Sequence, residues 1–287
     1  MAPPTLLIVP GSYTSSLAYY DLIRHIHRLY PSLPEPLVYD LPSASSGPPI
    51  PPPTLYDDGD YFSEKVGDLA DTGADIVVFA HSYGGAPARE AVKGHSKGER
   101  TKQGKKGGVV RLVYLSALTP APGQSVSEVC SALNFDFLQP VQEVSLIFPR
   151  LLNGDARLSL LKLTQTNWQG STDYFRHVIP ISAARCFSDL PQAEAIKMAA
   201  RATIHSSVSF MNPVTELSDH DRAIPSTYIL LTKDEVLPPD LQNEQIEVLK
   251  SQSGADKVQV VQMQTGHCPN ASAPEELAQV VGSILSA

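Results

Sequence analysis

Short apolar runs alternate with amphipathic stretches along most of the chain. Runs that are rich in β-branched residues and are bounded by glycine, proline or polar residues predict buried strands. Six such runs recur: Thr5–Val9, Leu37–Tyr39, Ile76–Phe79, Val109–Leu115, Thr227–Thr232 and Val258–Met263. The stretches between them have the apolar spacing of helices. Strands that alternate with helices predict an α/β fold with a mostly parallel, doubly wound sheet of about six strands.

The helical stretches share an apolar face that recurs every three or four residues. They cover Leu17–Leu29, Asp57–Asp71, Ala86–Lys93, Glu244–Ser251 and Glu275–Leu285. In the first of them, the spacing places Leu17, Tyr20, Ile23 and Ile26 among the inward positions. These helices are expected to cover the two faces of the sheet.

The pattern changes between Ser125 and about Arg201, where strand signals fade. Helical spacing appears there around Leu133–Leu138, Leu158–Leu163 and Ala193–Ala202. We therefore predict a helical cap, residues 125–201, inserted into a core made of residues 1–124 and 202–287. Its aromatic side chains are expected either to line a pocket or to pack the cap on the core. They are Phe135, Phe137, Phe148, Trp168, Tyr174, Phe175 and Phe187.

Composition narrows the range of partners. The chain has 287 residues, of which 42% are hydrophobic, and a formal net charge of -8. An acidic chain is a poor candidate for binding nucleic acid or an anionic membrane, so we expect neither as a partner. The three cysteines are widely spaced and suggest neither a disulfide framework nor a zinc site. With no secretion signal apparent, we expect a cytoplasmic protein that takes a small-molecule substrate, with a homodimer left open.

The most specific chemistry lies at a turn between a predicted strand and a predicted helix. Ser82 follows the apolar run Ile76–Phe79 and precedes the helix that begins near Ala86. A sharp turn of this kind requires small residues two positions before and two after its centre, and these are Ala80 and Gly84. The pentapeptide resembles the nucleophile elbow, G-x-S-x-G, of the α/β-hydrolase superfamily, with alanine in place of the first glycine.

Such an elbow places the serine hydroxyl above the sheet, where the positive end of the following helix faces it. The N–H of Tyr83 would then point at an oxyanion formed over Ser82. A serine that only caps an ordinary helix is the competing interpretation.

The loop after the first strand reads Pro10-Gly11-Ser12-Tyr13. In the superfamily this loop often begins His-Gly and supplies a second oxyanion-hole N–H. Here proline occupies the histidine position and has no N–H to give. The resemblance therefore implies the N–H of Ser12 as the second donor, with that of Tyr13 as the alternative. A plain strand-to-helix turn is the competing interpretation.

Two more polar residues follow other predicted strands, Asp234 after the fifth and His267 after the sixth. The carboxyl ends of parallel strands lie at one edge of a sheet, so both are expected near Ser82. Their order is the Ser…Asp…His order of α/β hydrolases. Histidine serves as the base for a serine, and a carboxylate holds the imidazole in the required tautomer. Glu235 is the alternative acid, and a helix-capping aspartate with an unrelated loop histidine is the competing interpretation.

Further motifs extend the resemblance over nearly the whole chain. They are Phe187-Ser188-Asp189-Leu190-Pro191, Ile224-Pro225-Ser226-Thr227-Tyr228, Thr232-Lys233-Asp234-Glu235-Val236-Leu237-Pro238 with Gln242, and Gly266-His267-Cys268-Pro269. The chain resembles small fungal-type α/β hydrolases that are akin to plant methylesterases and hydroxynitrile lyases. Because that group acts on esters, lactones, cyanohydrins and biosynthetic intermediates, the resemblance implies fold and triad but no particular substrate. In its hydroxynitrile lyases a lysine follows the catalytic histidine, whereas Cys268 follows His267 here.

These observations predict a serine hydrolase, without cofactor or metal, that cleaves a carboxylic ester or lactone of a small, largely apolar substrate. Expected substrate-binding residues are Gly11, Tyr13, His81, Trp168 and Cys268. A lyase, cyclase or aldol-type enzyme of a natural-product pathway, using His267 as base, is the alternative function. A ligand-binding receptor with a vestigial triad is a third interpretation.

Overall fold

The computed structural model of the chain describes residues 2–141 and 173–286. The strands are β1 (Thr5–Val9), β2 (Leu37–Val38), β3 (Asp75–His81), β4 (Gly108–Leu115), β5 (Leu138–Pro140), β6 (Tyr174–His177), β7 (His205–Ser206), β8 (Ser226–Leu231) and β9 (Val258–Met263). The helices of the first half are α1 (Tyr20–Leu29), α2 (Pro42–Ser45), α3 (Leu55–Asp71), α4 (Gly85–Ala91), α5 (Lys97–Lys102) and α6 (Val126–Val129). Those of the second half are α7 (Ile179–Cys186), α8 (Gln192–Ala199), α9 (Val208–Met211), α10 (Asp219–Arg222), α11 (Pro239–Ser253), α12 (Pro269–Ser272) and α13 (Pro274–Ser286). None of these helices is long and apolar enough to cross a membrane.

The six predicted strands form one sheet in the order β2-β1-β3-β4-β8-β9. Every neighbouring pair in this sheet is parallel. Successive side chains of a strand point to opposite faces, so Leu7 and Val78 pack into one core layer while Ile8 and Phe79 pack into the other. α3 and α4 cover the first layer, and α1 and α13 cover the second. The predicted α/β fold with a doubly wound parallel sheet is confirmed.

The predicted cap contains short strands as well as helices. β5 and β6 lie within it, and β7, which belongs to the predicted core segment 202–287, completes an antiparallel three-stranded sheet with them. Helical spacing over Leu133–Leu138 was wrong, because this stretch turns at Phe135, whose carbonyl accepts the Leu138 N–H at 3.0 Å, and then enters β5. The helix expected near Ala193–Ala202 is α8. Leu158–Leu163, Phe148 and Trp168 lie outside the described residues, and the division into core and cap stays a prediction.

The inward face of the first helical stretch is predicted only in its second half. Ile26 is fully buried and Ile23 packs partly buried against the core, as expected. Leu17 and Tyr20 are 79% and 67% exposed, and Tyr19 and Leu22 are buried instead. The chain begins this stretch with a 3₁₀ turn over Ser16–Tyr19 before α1 starts. Because a 3₁₀ turn has three residues rather than 3.6, it shifts the phase of the apolar face. The shift brings Tyr19 beneath the loop that follows β1.

Candidate active site

Ser82 lies at the sharp joint between β3 and α4, in a 3₁₀ turn over Ser82–Gly84. Its φ angle of 53° is in the left-handed region that a residue with a side chain rarely adopts. The joint admits no bulk nearby, because a Cβ on Gly84 would lie 2.4 Å from the Pro10 carbonyl oxygen. A Cβ on Gly85 would lie 2.3 Å from the Leu118 carbonyl oxygen. The structure therefore has the strained, closely packed turn that the small residues predicted.

The three residues expected to form a triad are in hydrogen-bonding contact. His267 Nε2 is 3.0 Å from Ser82 Oγ, and His267 Nδ1 is 2.6 Å from Asp234 Oδ2. A carboxylate only accepts hydrogen bonds, so Nδ1 carries the proton of the neutral imidazole and Nε2 presents its lone pair to the serine hydroxyl. All three side chains are buried, with Ser82 7% and His267 5% exposed. This arrangement can transfer a proton from Ser82 to His267.

Asp234 sits in a cluster of hydrogen-bond donors. Oδ1 accepts the N–H groups of Val236 at 2.7 Å and Leu237 at 2.8 Å, while Oδ2 also accepts the Ser116 hydroxyl at 2.7 Å. Burial opposes ionisation of Asp234, but the His267 imidazole and these donors together hold the pKa of the carboxyl below its usual value. The carboxylate is thus kept in the charged form that can support a protonated His267. The alternative acid, Glu235, is exposed to solvent.

Two side chains hold the loops that carry Asp234 and His267. Gln242 on α11 accepts the Leu231 N–H at 2.9 Å and donates to the Leu237 carbonyl oxygen at 2.7 Å, bracketing Asp234. Asp189 accepts the Gly266 N–H at 2.8 Å through Oδ2. Its contact fixes the residue directly before His267. Both Gln242 and Asp189 belong to the motifs that the sequence singled out, although no role was assigned to them there.

The two expected oxyanion donors lie on either side of Ser82. Tyr83 follows Ser82 in the elbow, and Ser12 follows Gly11, whose Cβ position is 3.3 Å from Ser82 Cβ. Neither the Ser12 nor the Tyr83 N–H donates a hydrogen bond within the part of the chain that the structure describes. The alternative donor, the Tyr13 N–H, faces His205 Nδ1 at 3.5 Å. Of the two candidates in this loop, Ser12 therefore has the N–H left for an oxyanion.

His81, which precedes Ser82, joins the two loops beside it. Its Nε2 is 2.9 Å from the carbonyl oxygen of His267, which can only accept, so Nε2 carries the proton. His81 Nδ1 therefore accepts the Tyr19 hydroxyl at 2.8 Å, and the Tyr19 oxygen accepts the Gly11 N–H at 3.0 Å. Burial and the neighbouring His267 lower the pKa of His81 to about 3, so the ring is neutral at pH 7. This chain of hydrogen bonds links the loop after β1 to the loop that carries His267.

A buried polar network beneath Tyr83 had no counterpart in the sequence analysis. The Tyr83 hydroxyl donates to Asp58 Oδ2 at 2.8 Å. Ser43 donates to Asp58 twice, from its N–H at 2.8 Å and from its hydroxyl at 2.6 Å. Ser43 Oγ also lies 3.3 Å from Nε2 of His205, whose Nδ1 faces the Tyr13 N–H. The network therefore supports both loops that carry the expected oxyanion donors.

A cavity of about 1040 Å³ opens over Ser82. Every described residue that the sequence placed in the oxyanion hole or at the substrate lines it: Gly11, Ser12, Tyr13, His81, Tyr83 and Cys268. Much of its wall is apolar, including Leu118, Val126, Phe135, Phe137, Phe175 and Phe187. The remaining expected residue, Trp168, lies outside the described part of the chain.

Two chemical alternatives can be compared with this geometry. Burial raises the pKa of the Cys268 thiol well above its usual value, so the thiol is protonated and a poor nucleophile at neutral pH. Among residues 2–141 and 173–286, no group of three His, Cys, Asp or Glu side chains is arranged to hold a metal ion. Of Ser82 and Cys268, Ser82 is therefore the better-placed nucleophile.

Comparison with known proteins agrees with the fold. The family model for the alpha/beta hydrolase family matches residues 6–280. The chain belongs to this family. The protein named probable hydrolase R7 from Phoma sp. is 31% identical over 285 residues, covering 99% of each chain. The alpha/beta hydrolase nvfD from Aspergillus novofumigatus is 25% identical over 281 residues, covering 98% of this chain and 96% of that one.

Solved structures share the architecture at low sequence identity. The crystal structure of the Arabidopsis methylesterase MES16 matches with a TM-score of 0.69 and 13% identity, covering 99% of both chains. At this identity the match supports the fold alone. The family model and the relative from Phoma sp. confirm the expected α/β-hydrolase superfamily and an enzyme of that class.

Several residues of this α/β hydrolase contribute to the site without having been predicted there. Ser116 contacts the acid, Tyr19 contacts His81, and Asp58 supports the elbow. Ser116 directly follows β4, so it lies at the same edge of the sheet as Ser82, Asp234 and His267. Its φ angle is 39°. Its place at the carboxyl end of a predicted strand was the one signal available from the sequence. Tyr19 and Asp58 lie within helical stretches that carry no such signal.

Proposed function

We propose that this α/β hydrolase is a serine hydrolase that cleaves a carboxylic ester or lactone of a small, largely apolar substrate. The observation that carries the proposal is the contact of 3.0 Å between Ser82 Oγ and His267 Nε2, with Asp234 bound to the other ring nitrogen. These contacts lie at the base of a cavity with apolar walls. A serine, an imidazole and a carboxylate in this sequence of contacts are the machinery of acyl transfer.

In the proposed reaction, Ser82 Oγ attacks the ester carbonyl carbon while its proton passes to His267 Nε2. The carbonyl oxygen becomes an oxyanion that accepts the N–H groups of Ser12 and Tyr83. As the tetrahedral intermediate collapses, His267 returns the proton to the departing alkoxide, and an acyl group remains on Ser82. Water then repeats the sequence on the acyl-enzyme and releases a carboxylic acid. Asp234 stays ionised and stabilises protonated His267 in both halves.

The cavity supports an apolar substrate of modest size. Aromatic and aliphatic side chains form much of its wall, and a volume of about 1040 Å³ is at the upper end of small-molecule sites. The charged lining residues within the described part of the chain are all exposed: Asp21, Glu194, Lys197 and Arg201. The substrate's reacting carbonyl would lie at Ser82 and its apolar part against the aromatic wall.

The acyl-enzyme is the most direct test of the proposed mechanism. We expect acid quenching during turnover of p-nitrophenyl pentanoate to trap a pentanoyl group on the peptide that contains Ser82, detected by mass spectrometry. Ser82→Ala should trap none and should release no p-nitrophenol above the buffer rate. Release of p-nitrophenol that persists in Ser82→Ala, or an acyl group trapped on Cys268 instead, would contradict the proposal.

A further inference from the structure

A second imidazole lines the same cavity and has no part in the proposed acyl transfer. His177 ends β6, and its ring lies 4.7 Å from the Tyr13 ring and edge-on to Phe137 at 5.6 Å, measured between centroids. Tyr13 belongs to the loop that carries the expected oxyanion donor Ser12. His177 is thus held by aromatic contacts close to the reacting centre, on the cap side of the cavity.

The hydrogen bonds of His177 assign its tautomer. Nδ1 is 2.6 Å from the hydroxyl oxygen of Ser182, which is fully buried in α7. Among the described residues, the other acceptor within reach of that hydroxyl is Cys186 Sγ at 3.6 Å, and sulfur is a weak acceptor. The Ser182 hydroxyl therefore donates to Nδ1, and the ring proton resides on Nε2. Within the described residues Nε2 has no hydrogen-bond partner.

The charge state of His177 follows from its surroundings. Burial, and next the nearby His267, lower the pKa of His177 to about 4. The ring is therefore neutral at pH 7 and offers one N–H to the cavity. A neutral donor among apolar walls gains most from an uncharged acceptor such as a carbonyl oxygen, and it loses its hydration without return when an apolar group covers it.

We propose that His177 donates a hydrogen bond from Nε2 to a second oxygen of the substrate, so that the enzyme prefers esters with an additional keto oxygen over purely apolar esters. This assignment deepens the proposed function, on which it rests for the chemistry at Ser82. It identifies the substrate class as oxo esters or oxo lactones. A neutral hydrogen bond in such a site corresponds to a preference of about fivefold to tenfold.

A matched pair of esters and a matched pair of variants test the assignment. The esters are p-nitrophenyl 4-oxopentanoate and p-nitrophenyl pentanoate, which differ by one carbonyl oxygen, and the readout is the ratio of their kcat/KM values after subtraction of the buffer rates. In His177→Gln the amide nitrogen reaches the position of Nε2, whereas in His177→Asn it reaches that of Nδ1.

We expect the native enzyme to prefer the oxo ester about fivefold to tenfold, His177→Gln to keep most of that preference and His177→Asn to lose it. If His177 only packs and binds Ser182, the native enzyme and both variants have the same ratio, because no donor at this position then contacts the keto oxygen. The assignment is overturned if the native enzyme has the same ratio as His177→Asn, or if His177→Asn keeps the preference and His177→Gln loses it.

Failure of the acyl transfer itself is distinguished by a binding measurement. Ser82→Ala is titrated calorimetrically with ethyl 4-oxopentanoate and with ethyl pentanoate, alone and together with each His177 variant. Tighter binding of the oxo ester that His177→Asn abolishes supports the His177 contact even if no ester is turned over. Equal binding of both esters to Ser82→Ala overturns it, whatever the catalytic result.

Discussion

The hydroxyl of Tyr83, the residue directly after Ser82 in the chain, donates a hydrogen bond of 2.8 Å to Asp58 Oδ2 inside the protein. Asp58 is fully buried on α3 and also accepts the N–H and hydroxyl of Ser43. Three donors surround this carboxylate, and no ion pair with a cation is found for it among the described residues. The elbow is therefore anchored to a carboxyl group whose ionisation is costly.

Asp58 gives the stability of the fold a specific pH dependence. Burial raises its pKa from 3.8 to about 6, although the Ser43 and Tyr83 contacts oppose the rise. Between these values the folded protein holds a proton that the unfolded chain has lost, so the contribution of Asp58 to stability is present at low pH and is lost as pH rises towards 6. The loss is roughly 3 kcal/mol, at about 1.4 kcal/mol for each unit of pKa difference.

We expect Asp58→Asn to gain stability relative to the native enzyme as pH rises from about 4 to about 6, whatever its absolute stability. Urea unfolding at a series of pH values measures the difference. Asp60→Asn, which alters an exposed carboxylate of the same helix, is the control and should follow the native curve. If the difference in the free energy of unfolding between Asp58→Asn and the native enzyme does not change across this range, the pKa of Asp58 is not raised.

The acid of the triad can be assigned by comparing two adjacent carboxylates. Asp234→Asn removes the charge that holds the tautomer of His267, and the corresponding loss in serine proteases is on the order of ten-thousand-fold in kcat. Glu235→Gln alters an exposed side chain and should leave kcat within about twofold. Steady-state kinetics with p-nitrophenyl pentanoate decide between them. A larger loss in Glu235→Gln would mean that the wrong acid was assigned.

Because the elbow lies close to the loop after β1, we predict that one methyl group added at Gly84 strongly lowers kcat. In Gly84→Ala the added Cβ would lie 2.4 Å from the Pro10 carbonyl oxygen, so backbone on one side must move. Because the movement displaces the expected oxyanion donors, we predict a fall in kcat on the order of a hundredfold together with a lower Tm. Gly98→Ala adds its methyl to open space on α5 and is the matched control, with native kcat.

That pair also separates two explanations for the glycine. A Gly84→Ala variant with native kcat and a lowered Tm would show that the close approach serves packing and not the position of the oxyanion donors.

Cyanohydrin cleavage is the activity of the wider group that we expect this enzyme to lack. Departing cyanide needs a fixed positive charge in a low-dielectric pocket. Cys268 stands where the hydroxynitrile lyases carry lysine, and among the described residues the cations that line the cavity, Lys197 and Arg201, are exposed to solvent. We predict no cyanide release from mandelonitrile above the buffer rate in a colorimetric assay. Cyanide release that disappears in Ser82→Ala would instead favour the lyase function.

The sequence predicts what depends on local patterns. Six strands follow from runs of β-branched residues, and the contact of Ser82 with Asp234 and His267 follows from their positions after parallel strands. Each strand is read from a few neighbouring residues, and the parallel topology of the sheet then brings the residues after these strands to one edge. The prediction that Leu17 and Tyr20 face inward was wrong because a 3₁₀ turn shifts the phase at the start of this stretch, which apolar spacing cannot reveal.

Contacts between distant segments escaped prediction for a different reason. Asp58, Ser43 and His205 meet beneath Tyr83 although up to 162 residues separate them along the chain. Each has an ordinary local interpretation, as a helix residue or a loop residue. They come into contact only because α3 and β7 pack beside the elbow. The same holds for His177, because the sequence does not show that its Nε2 lines the cavity without a hydrogen-bond partner among the described residues.

Covalent labelling of the native enzyme with a fluorophosphonate probe, followed by mass spectrometry of the labelled peptides, tests the central claim most directly. The claim is that His267, held by Asp234, activates Ser82. We predict one adduct per chain on Ser82, none in Ser82→Ala and a strongly slowed reaction in His267→Ala. Absence of an adduct in the native enzyme, or an adduct on Cys268 that survives in Ser82→Ala, would contradict it.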